Sequence, residues 1–402
     1  MELDHRALYR LPWSFSDNVI AWLEPTAKCN LACEGCYRKN VDQHKPLEEI
    51  ARDLDTFARY RKFDGVSIAG GDPLTHPNVI DIVRLVAQRG YKPVLNTNGL
   101  ALEQPLLEEL KDAGLLGLTF HIDSKQGRPG WKGATELQLN ELRLHFAQMA
   151  QQVGNLSVAF NSTVYEDTLK FVPDLVQWAQ DHIDKVHVMV FIAYRDAVVS
   201  EFDYWAGGKQ IDPEKLVYTV TEKKQRDDIT SNEVVKRVQE RFPDFQPAAY
   251  LGGTERPETF KWLMAGRIGN RERISGYIGP KMMEAVQTLH HAVAGRYLAY
   301  ADPKTLALGR STMLAAATID KGARGALWSW LKWVAGDPRR ALQKQHYQSI
   351  MFIQPIDILP DGRQNMCDGC PDITVHDGQL VWSCRLEERL NFGQFVRTVP
   401  KA

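Results

Sequence analysis

Six cysteines in two tight groups are the residues of this 402-residue chain best suited to do chemistry. Cys29, Cys33 and Cys36 stand as Cys-x3-Cys-x2-Cys in "AKCNLACEGCYRKN". Cys367, Cys370 and Cys384 stand in "CDGCPDITVHDGQLVWSC", and no cysteine lies between the two groups. Disulfide frameworks spread cysteines through small secreted domains, whereas local clusters of this kind read as metal sites. Three thiolates are one ligand short of the closed tetrahedral site of structural zinc, and no nearby histidine completes the first group. An open position is what a catalytic metal centre keeps for its substrate. A cubane iron–sulfur cluster held by three thiolates has such a position, because one iron stays free. In the second group a hairpin over "ITVHDGQLVW", turning at Asp377 and Gly378, folds Cys384 back beside Cys367 and Cys370. That group reads either as half a zinc ribbon, with His376 or an aspartate as fourth ligand, or as a second iron–sulfur site.

These groups need a frame. From residue 19 to about 194, short apolar runs alternate with amphipathic ones. Strands are expected over 19–25, 65–71, 92–99, 115–124, 156–164 and 185–194, with helices between them, for example over 46–63, 78–90 and 169–183. Six βα units joined by short connections predict an α/β fold with a parallel sheet and right-handed crossovers. Six strands are too few to close an eight-stranded barrel, so the expectation is a partial (β/α)6 TIM-like barrel. In "LTFHIDS", Leu118, Phe120 and Ile122 share one face while Thr119, His121 and Asp123 share the other. The polar face must look into a solvated interior. Active sites of such folds gather at the carboxyl ends of the strands, and there fall the first cysteine loop, "GGDPL" at 70–74, "NTNG" at 96–99 and Asp123. Residues 1–194 are therefore expected to form the barrel core. Residues 195–349 are expected to be a mainly helical insertion, and 350–402 a small C-terminal region around the second cysteine group.

With these motifs the chain resembles the radical S-adenosylmethionine (SAM) superfamily. The Cys-x3-Cys-x2-Cys loop at the end of the first strand is the most specific element of the likeness. It implies a [4Fe–4S] cluster on Cys29, Cys33 and Cys36 whose free iron chelates the methionine end of SAM. It further implies reductive cleavage of SAM to a 5′-deoxyadenosyl radical, fed by a low-potential electron donor of flavodoxin or ferredoxin type. "GGDPL" resembles the family's Gly-Gly-Glu-Pro turn, so Gly70, Gly71, Asp72 and Pro73 are implied as SAM contacts, with Asp72 where Glu is usual. Asn96 and Asn98, Asp123 and Asn161 fall at strand ends where members contact the cofactor. The aromatic residue usual before the third cysteine is Gly35 here; Tyr37 follows and is the candidate for adenine packing. The second group is similar in spacing to the auxiliary cluster of the molybdenum-cofactor GTP cyclase, which implies a second [4Fe–4S] cluster on Cys367, Cys370 and Cys384. The chain departs from that enzyme in its ending, "RTVPKA", and in the large insertion.

Composition bounds the rest. The chain is 44% hydrophobic and 25% charged with a formal net charge of −1, which leaves no global basic bias for nucleic acid. No run approaches a bilayer-spanning length, and "MELDHRALYR" lacks an export signal's basic start and apolar core, so a cytoplasmic protein is the expectation. From Glu255 to Lys344 there are 15 Lys and Arg against 7 Asp and Glu. This basic run also holds "GALWSWLKWVAG" (325–336). It reads either as an ordinary helical subdomain with core tryptophans or as a surface that meets anionic lipid. "LEPTAKCNLACEGC" with "VSIAGGDPLTHP" is similar to the hopanoid-associated adenosylating branch of the superfamily. Together these features imply a lipid or other bulky apolar substrate and peripheral contact with a membrane. Peptide maturation, nucleotide cyclisation and a zinc-stabilised interaction protein are the alternatives.

Overall fold

A computed structural model describes residues 3–215, 220, 221 and 229–401; part of the polar stretch at 221–242, residues 222–228, lies outside them. Six parallel strands run in sequence order: β1 (Ile20–Leu23), β2 (Gly65–Ile68), β3 (Lys92–Thr97), β4 (Gly117–His121), β5 (Ser157–Val164) and β6 (Val188–Ala193). Between them lie α1 (Leu47–Tyr60), α2 (Val79–Gln88), α3 (Gln104–Asp112), α4 (Asn140–Val153) and α5 (Val172–Asp181). Every expected strand is present but shorter than its apolar run. The excess, such as Gly70 and Gly71 or Asn98 and Gly99, is the loop that leaves the carboxyl end. One face of the sheet, with Leu23, Ile68, Leu95, Phe120, Phe160 and Phe191, packs in a single core with the helices. The opposite positions line the interior.

The sheet does not stop at β6. Beyond α6 (Ser231–Arg241) come β7 (Ala249–Leu251), β8 (Trp262–Gly269) and β9 (Ile274–Tyr277). The strand β10 (His346–Ile353) then pairs in parallel with β6 and antiparallel with β8. The segment read as a mainly helical insertion thus also supplies sheet, and β10 crosses the expected boundary at 349. Its alternating burial is that of a strand with one face in the core, yet its parallel partner lies more than 150 residues upstream and is invisible to local pattern. The helices of this segment include α7 (Pro280–Ala294), α8 (Gly309–Ala316) and α9 (Lys321–Gly336). Among them, Tyr300 plugs the amino-terminal end of the barrel, its hydroxyl 2.6 Å from Ser67 Oγ.

The sheet has to curl. Its far edge is Tyr9 and Arg10, parallel to β7, and its near edge is β1, which begins at Ile20. Ten strands laid flat span roughly 43 Å, and ten residues of chain reach at most about 35 Å. Between the two edges sits the second cysteine knuckle. Asp368 N donates to Gly252 O (3.1 Å), just past β7, and Cys367 bridges to Gly253. On the β1 side, buried Asn18 Nδ2 donates to Gly369 O (3.1 Å). Arg61, also buried, donates to the carbonyls of Cys370 (2.9 Å), Pro371 (3.1 Å), Phe15 (2.9 Å) and Ile20 (3.0 Å). The knuckle is therefore the clasp of the seam. Arg61→Met keeps the apolar stem and strands those carbonyls, which should cost about 3 kcal/mol. The loss will show as a lower urea midpoint and faster proteolytic release of the C-terminal region.

Candidate functional site

The first cysteine loop has no regular structure, and polar anchors hold it. Asn40 brackets Cys29: its Oδ1 accepts from Cys29 N (2.9 Å) and its Nδ2 donates to Cys29 O (3.0 Å). Asn98 Nδ2 donates to Asn30 Oδ1 (2.7 Å) and lies 3.7 Å from Cys29 Sγ. Gly71 N and Asp72 N donate to the carbonyls of Thr26 and Lys28, both at 2.8 Å. A Cβ on Gly71 would lie 2.1 Å from Lys28 O, so only glycine lets the two backbones run this close.

Burial pushes the thiols of Cys29, Cys33 and Cys36 up, and for Cys33 the neighbouring Asp123, Cys36 and Cys29 push it further. The three sulfurs are thus close enough to feel one another's charge. Among the described residues, however, no three His, Cys, Asp or Glu side chains are set to hold a single ion. A lone zinc at about 2.3 Å from each sulfur needs a tighter triangle; a multi-iron cubane takes its ligands further apart. A further observation fits the cofactor pair. The carbonyls of Gly70 and Gly71 accept no hydrogen bond among the described residues and are free for an ammonium group. Asn96 Nδ2 and Asn161 Oδ1 are buried at the interior face without partners. Gly70 and Gly71 follow β2, Asn96 is the next-to-last residue of β3, and Asn161 lies within β5 in register with His121.

The other candidates are already occupied. The buried Asp72 carboxylate accepts from Leu74 N (3.0 Å), Thr97 Oγ1 (2.8 and 2.9 Å) and Asn98 N (2.7 Å). It ties the glycine turn to the end of β3 and has no oxygen left for a ligand, so its role is positioning. Pro73 is buried and opens a 3-10 turn. Asp123 accepts from Lys125 N (2.9 Å) and lies 3.1 Å from His121 Nε2. Burial raises this carboxyl, but the His121 bond and charge, with the bonds from Lys125 N and Thr163, together hold it low. Tyr37 does not face the cofactor space. Its hydroxyl lies 3.5 Å from Ser383 Oγ, beside Cys384. What crowds Gly35 instead is Tyr165, whose hydroxyl lies 2.8 Å from where a Cβ would stand and whose ring packs against Tyr194 at 4.8 Å.

Tyr37 marks a link that sequence reasoning missed. Buried Arg38, two residues past Cys36, pairs with Glu24 (2.9 Å) at the end of β1 and with Glu387 (3.2 Å). Glu387 also accepts from Lys39 N (3.0 Å), and Ser383 Oγ donates to Glu24 (2.5 Å). One buried cation thus fastens the first cysteine loop to the residues around Cys384. Another missed cation is buried Arg128, from "QGRPGW", which donates to Asn98 O (2.8 Å) near Cys33. An arginine in a loop carries no signal of burial, and no local pattern finds either one.

The second group sits as the hairpin predicts. Ile373–His376 pairs with Gln379–Trp382, and Asp377 (φ 49°) and Gly378 (φ 69°) make the turn. Cys367 and burial push the Cys370 thiol up, and burial and Cys367 push the Cys384 thiol up, so the three thiols lie near one another. His376 lies at the hairpin's tip, roughly 13 Å of strand from the base, and pairs with Asp377 (3.3 Å). It is no fourth ligand.

Arg38→Met should leave Glu24 and Glu387 buried as like charges and cost about 3–5 kcal/mol. Adding Glu387→Gln should return part of that loss in thermal melts, whereas two independent defects would add.

The chain is similar in sequence to known proteins. Residues 23–126 match the family model of the Radical SAM superfamily. The Probable GTP 3',8-cyclase of Methanocaldococcus jannaschii is 28% identical over 176 residues, covering 42% of this chain and 58% of that protein. The AdoMet-dependent heme synthase of Methanosarcina barkeri is 37% identical over 110 residues, covering 26% of this chain and 31% of that protein. Streptococcus suis SuiB, solved bound to S-adenosylmethionine, overlays with a TM-score of 0.41 at 16% identity, over 57% of this chain and 48% of that one. The chain spans less than two thirds of the length of these curated relatives. Residues 23–126 are thus a radical SAM domain, of an enzyme superfamily that works with a [4Fe–4S] cluster and SAM.

Proposed function

We propose that this protein cleaves SAM reductively and directs the 5′-deoxyadenosyl radical at a lipid or other bulky apolar substrate held in the barrel. The observation that carries the first half is the trio of thiols beside a glycine turn whose carbonyls are unclaimed. When bound, the [4Fe–4S] cluster supplies the electron that breaks the sulfonium–carbon bond of SAM, received from a flavodoxin- or ferredoxin-type donor. Cys29, Cys33 and Cys36 would hold it. The Gly70 and Gly71 carbonyls would accept from the methionine ammonium, Asn96 would donate through Nδ2 and Asn161 would accept through Oδ1. Asn98, Asp72 and Arg38 keep the loop in place. Cys367, Cys370 and Cys384 would hold a second [4Fe–4S] cluster. The division into a barrel core (1–194), an insertion (195–349) and a C-terminal cluster region (350–402) belongs to the same reading, with β10 lent to the barrel.

The interior wall supports the apolar substrate. Its first strands are polar, with Asn96, Thr119, His121, Asn161 and Thr163. The wall then turns apolar through Ile192, Met351, Ile353 and Met264 to Trp22 at the seam, all only partly buried. A nucleotide, the substrate class named in the cyclase relative, needs cations for its phosphates. The inward strand positions carry one, Lys92, and it is spent on Asp64 (2.6 Å) and the Tyr300 carbonyl (2.9 Å).

After anaerobic reconstitution, Cys36→Ala should lose 5′-deoxyadenosine formation entirely, and undiminished formation would refute the cluster assignment. Cys384→Ala should keep SAM cleavage but lose iron and product; unchanged iron and product would remove the second cluster. In cells lacking the protein, the accumulating compound should partition into the organic extract. Accumulation in the aqueous extract alone would overturn the apolar substrate.

A further inference from the structure

The helices that close the amino-terminal end of the barrel present apolar side chains to solvent, and their charge is lopsided. In α9, Ala323, Ala326, Leu327 and Trp330 turn inward. The outward stripe is Lys321, Arg324, Trp328, Leu331 and Lys332, at helical spacing. Trp328 is 61% exposed and Leu331 41%. Beside it, Leu314 in α8 is 60% exposed, Ile319 48%, and Leu342 84%. Arg310, one turn before Leu314, donates to Ala341 O (2.7 Å), and Arg324 donates to Ala317 O (3.0 Å). These bonds draw α8, α9 and the turn after α9 into one surface.

Between residues 303 and 344 the chain has eight Lys and Arg against two Asp. Neither aspartate neutralises the face. Asp320 is buried as the cap of α9, its Oδ1 accepting from Ala323 N (2.7 Å) and Gly279 N (2.8 Å), and Asp337 caps the next turn. None of the eight cations pairs with a carboxylate among the described residues. Exposed Trp and Leu at helical spacing, flanked by cations with no carboxylate partner among the described residues, are complementary to one kind of surface. The apolar side chains enter the acyl boundary while the cations meet anionic head groups.

We infer that α8, α9 and the turn after them form a docking face for an anionic lipid bilayer. The first cysteine loop lies at the opposite, carboxyl end of the strands, so docking leaves that mouth open to the aqueous phase. This inference stands apart from what the radical acts on.

The full-length, cluster-loaded protein is sedimented with vesicles of phosphatidylcholine, with and without phosphatidylglycerol. Binding is expected only with phosphatidylglycerol, weakened by added salt and accompanied by a blue shift of tryptophan emission. Trp328→Glu with Leu331→Glu should weaken it by about tenfold or more. Lys321→Gln with Lys332→Gln, which leaves the apolar side chains in place, should weaken it to a smaller degree. Both variants should form 5′-deoxyadenosine like the parent, which separates this test from that of the chemistry. Absence of binding at low ionic strength, or equal binding to phosphatidylcholine alone, would overturn the inference. So would a dimer in sedimentation velocity that Trp328→Glu dissolves, since the face would then be a contact between copies.

Discussion

One buried guanidinium, Arg38, holds the site together. It stands between Glu24, which ends the first strand, and Glu387, more than three hundred residues away. Burying three charges is expensive, and such clusters are weak sources of net stability. What the arrangement supplies is position. The cysteine loop has no helix or strand of its own to hold it, so its geometry is borrowed: from Asn40 locally, from the Asp72 clamp on β3, and from the C-terminal residues through Arg38. Because Ser383 joins the same network beside Cys384, the two cysteine groups share one support.

The second group has a mechanical role that its ligand pattern does not announce. Its knuckle lies across the seam between the first and last edges of the curled sheet, where Asn18 and Arg61 hold its carbonyls. Closing a barrel with fewer than eight βα units requires such a clasp, since an open edge exposes unpaired backbone groups. Here β10 and β8 extend the wall and the knuckle seals it. This also makes the interior two-sided, polar on the early strands and apolar on the late ones.

Much of this was legible locally. The cysteine spacings, the strand runs, the interior polarity of β4 and the Asp377-Gly378 hairpin follow from backbone geometry and periods of two and 3.6, which act over a few residues. Strand ends were overshot wherever a loop stayed apolar or glycine-rich. The readings that changed were of side chains whose partners are distant. Asp72 matched a motif, but whether its carboxylate faces a ligand or a neighbouring strand depends on Thr97 and Asn98. Tyr37 adjoins the third cysteine, yet turns to a partner 346 residues away.

The sequence by itself determined which residues are of a type to do chemistry and which stretches become strands, because ligand type and hydrophobic period are local properties. Tertiary structure alone decided which polar groups remain unmet. Gly70 and Gly71, Asn96 and Asn161 are left open, while Asp72 and Asp123 are closed. The physical reason is that a buried polar group takes whatever partner the fold brings within about 3 Å. Only the finished packing decides which groups are left for a ligand.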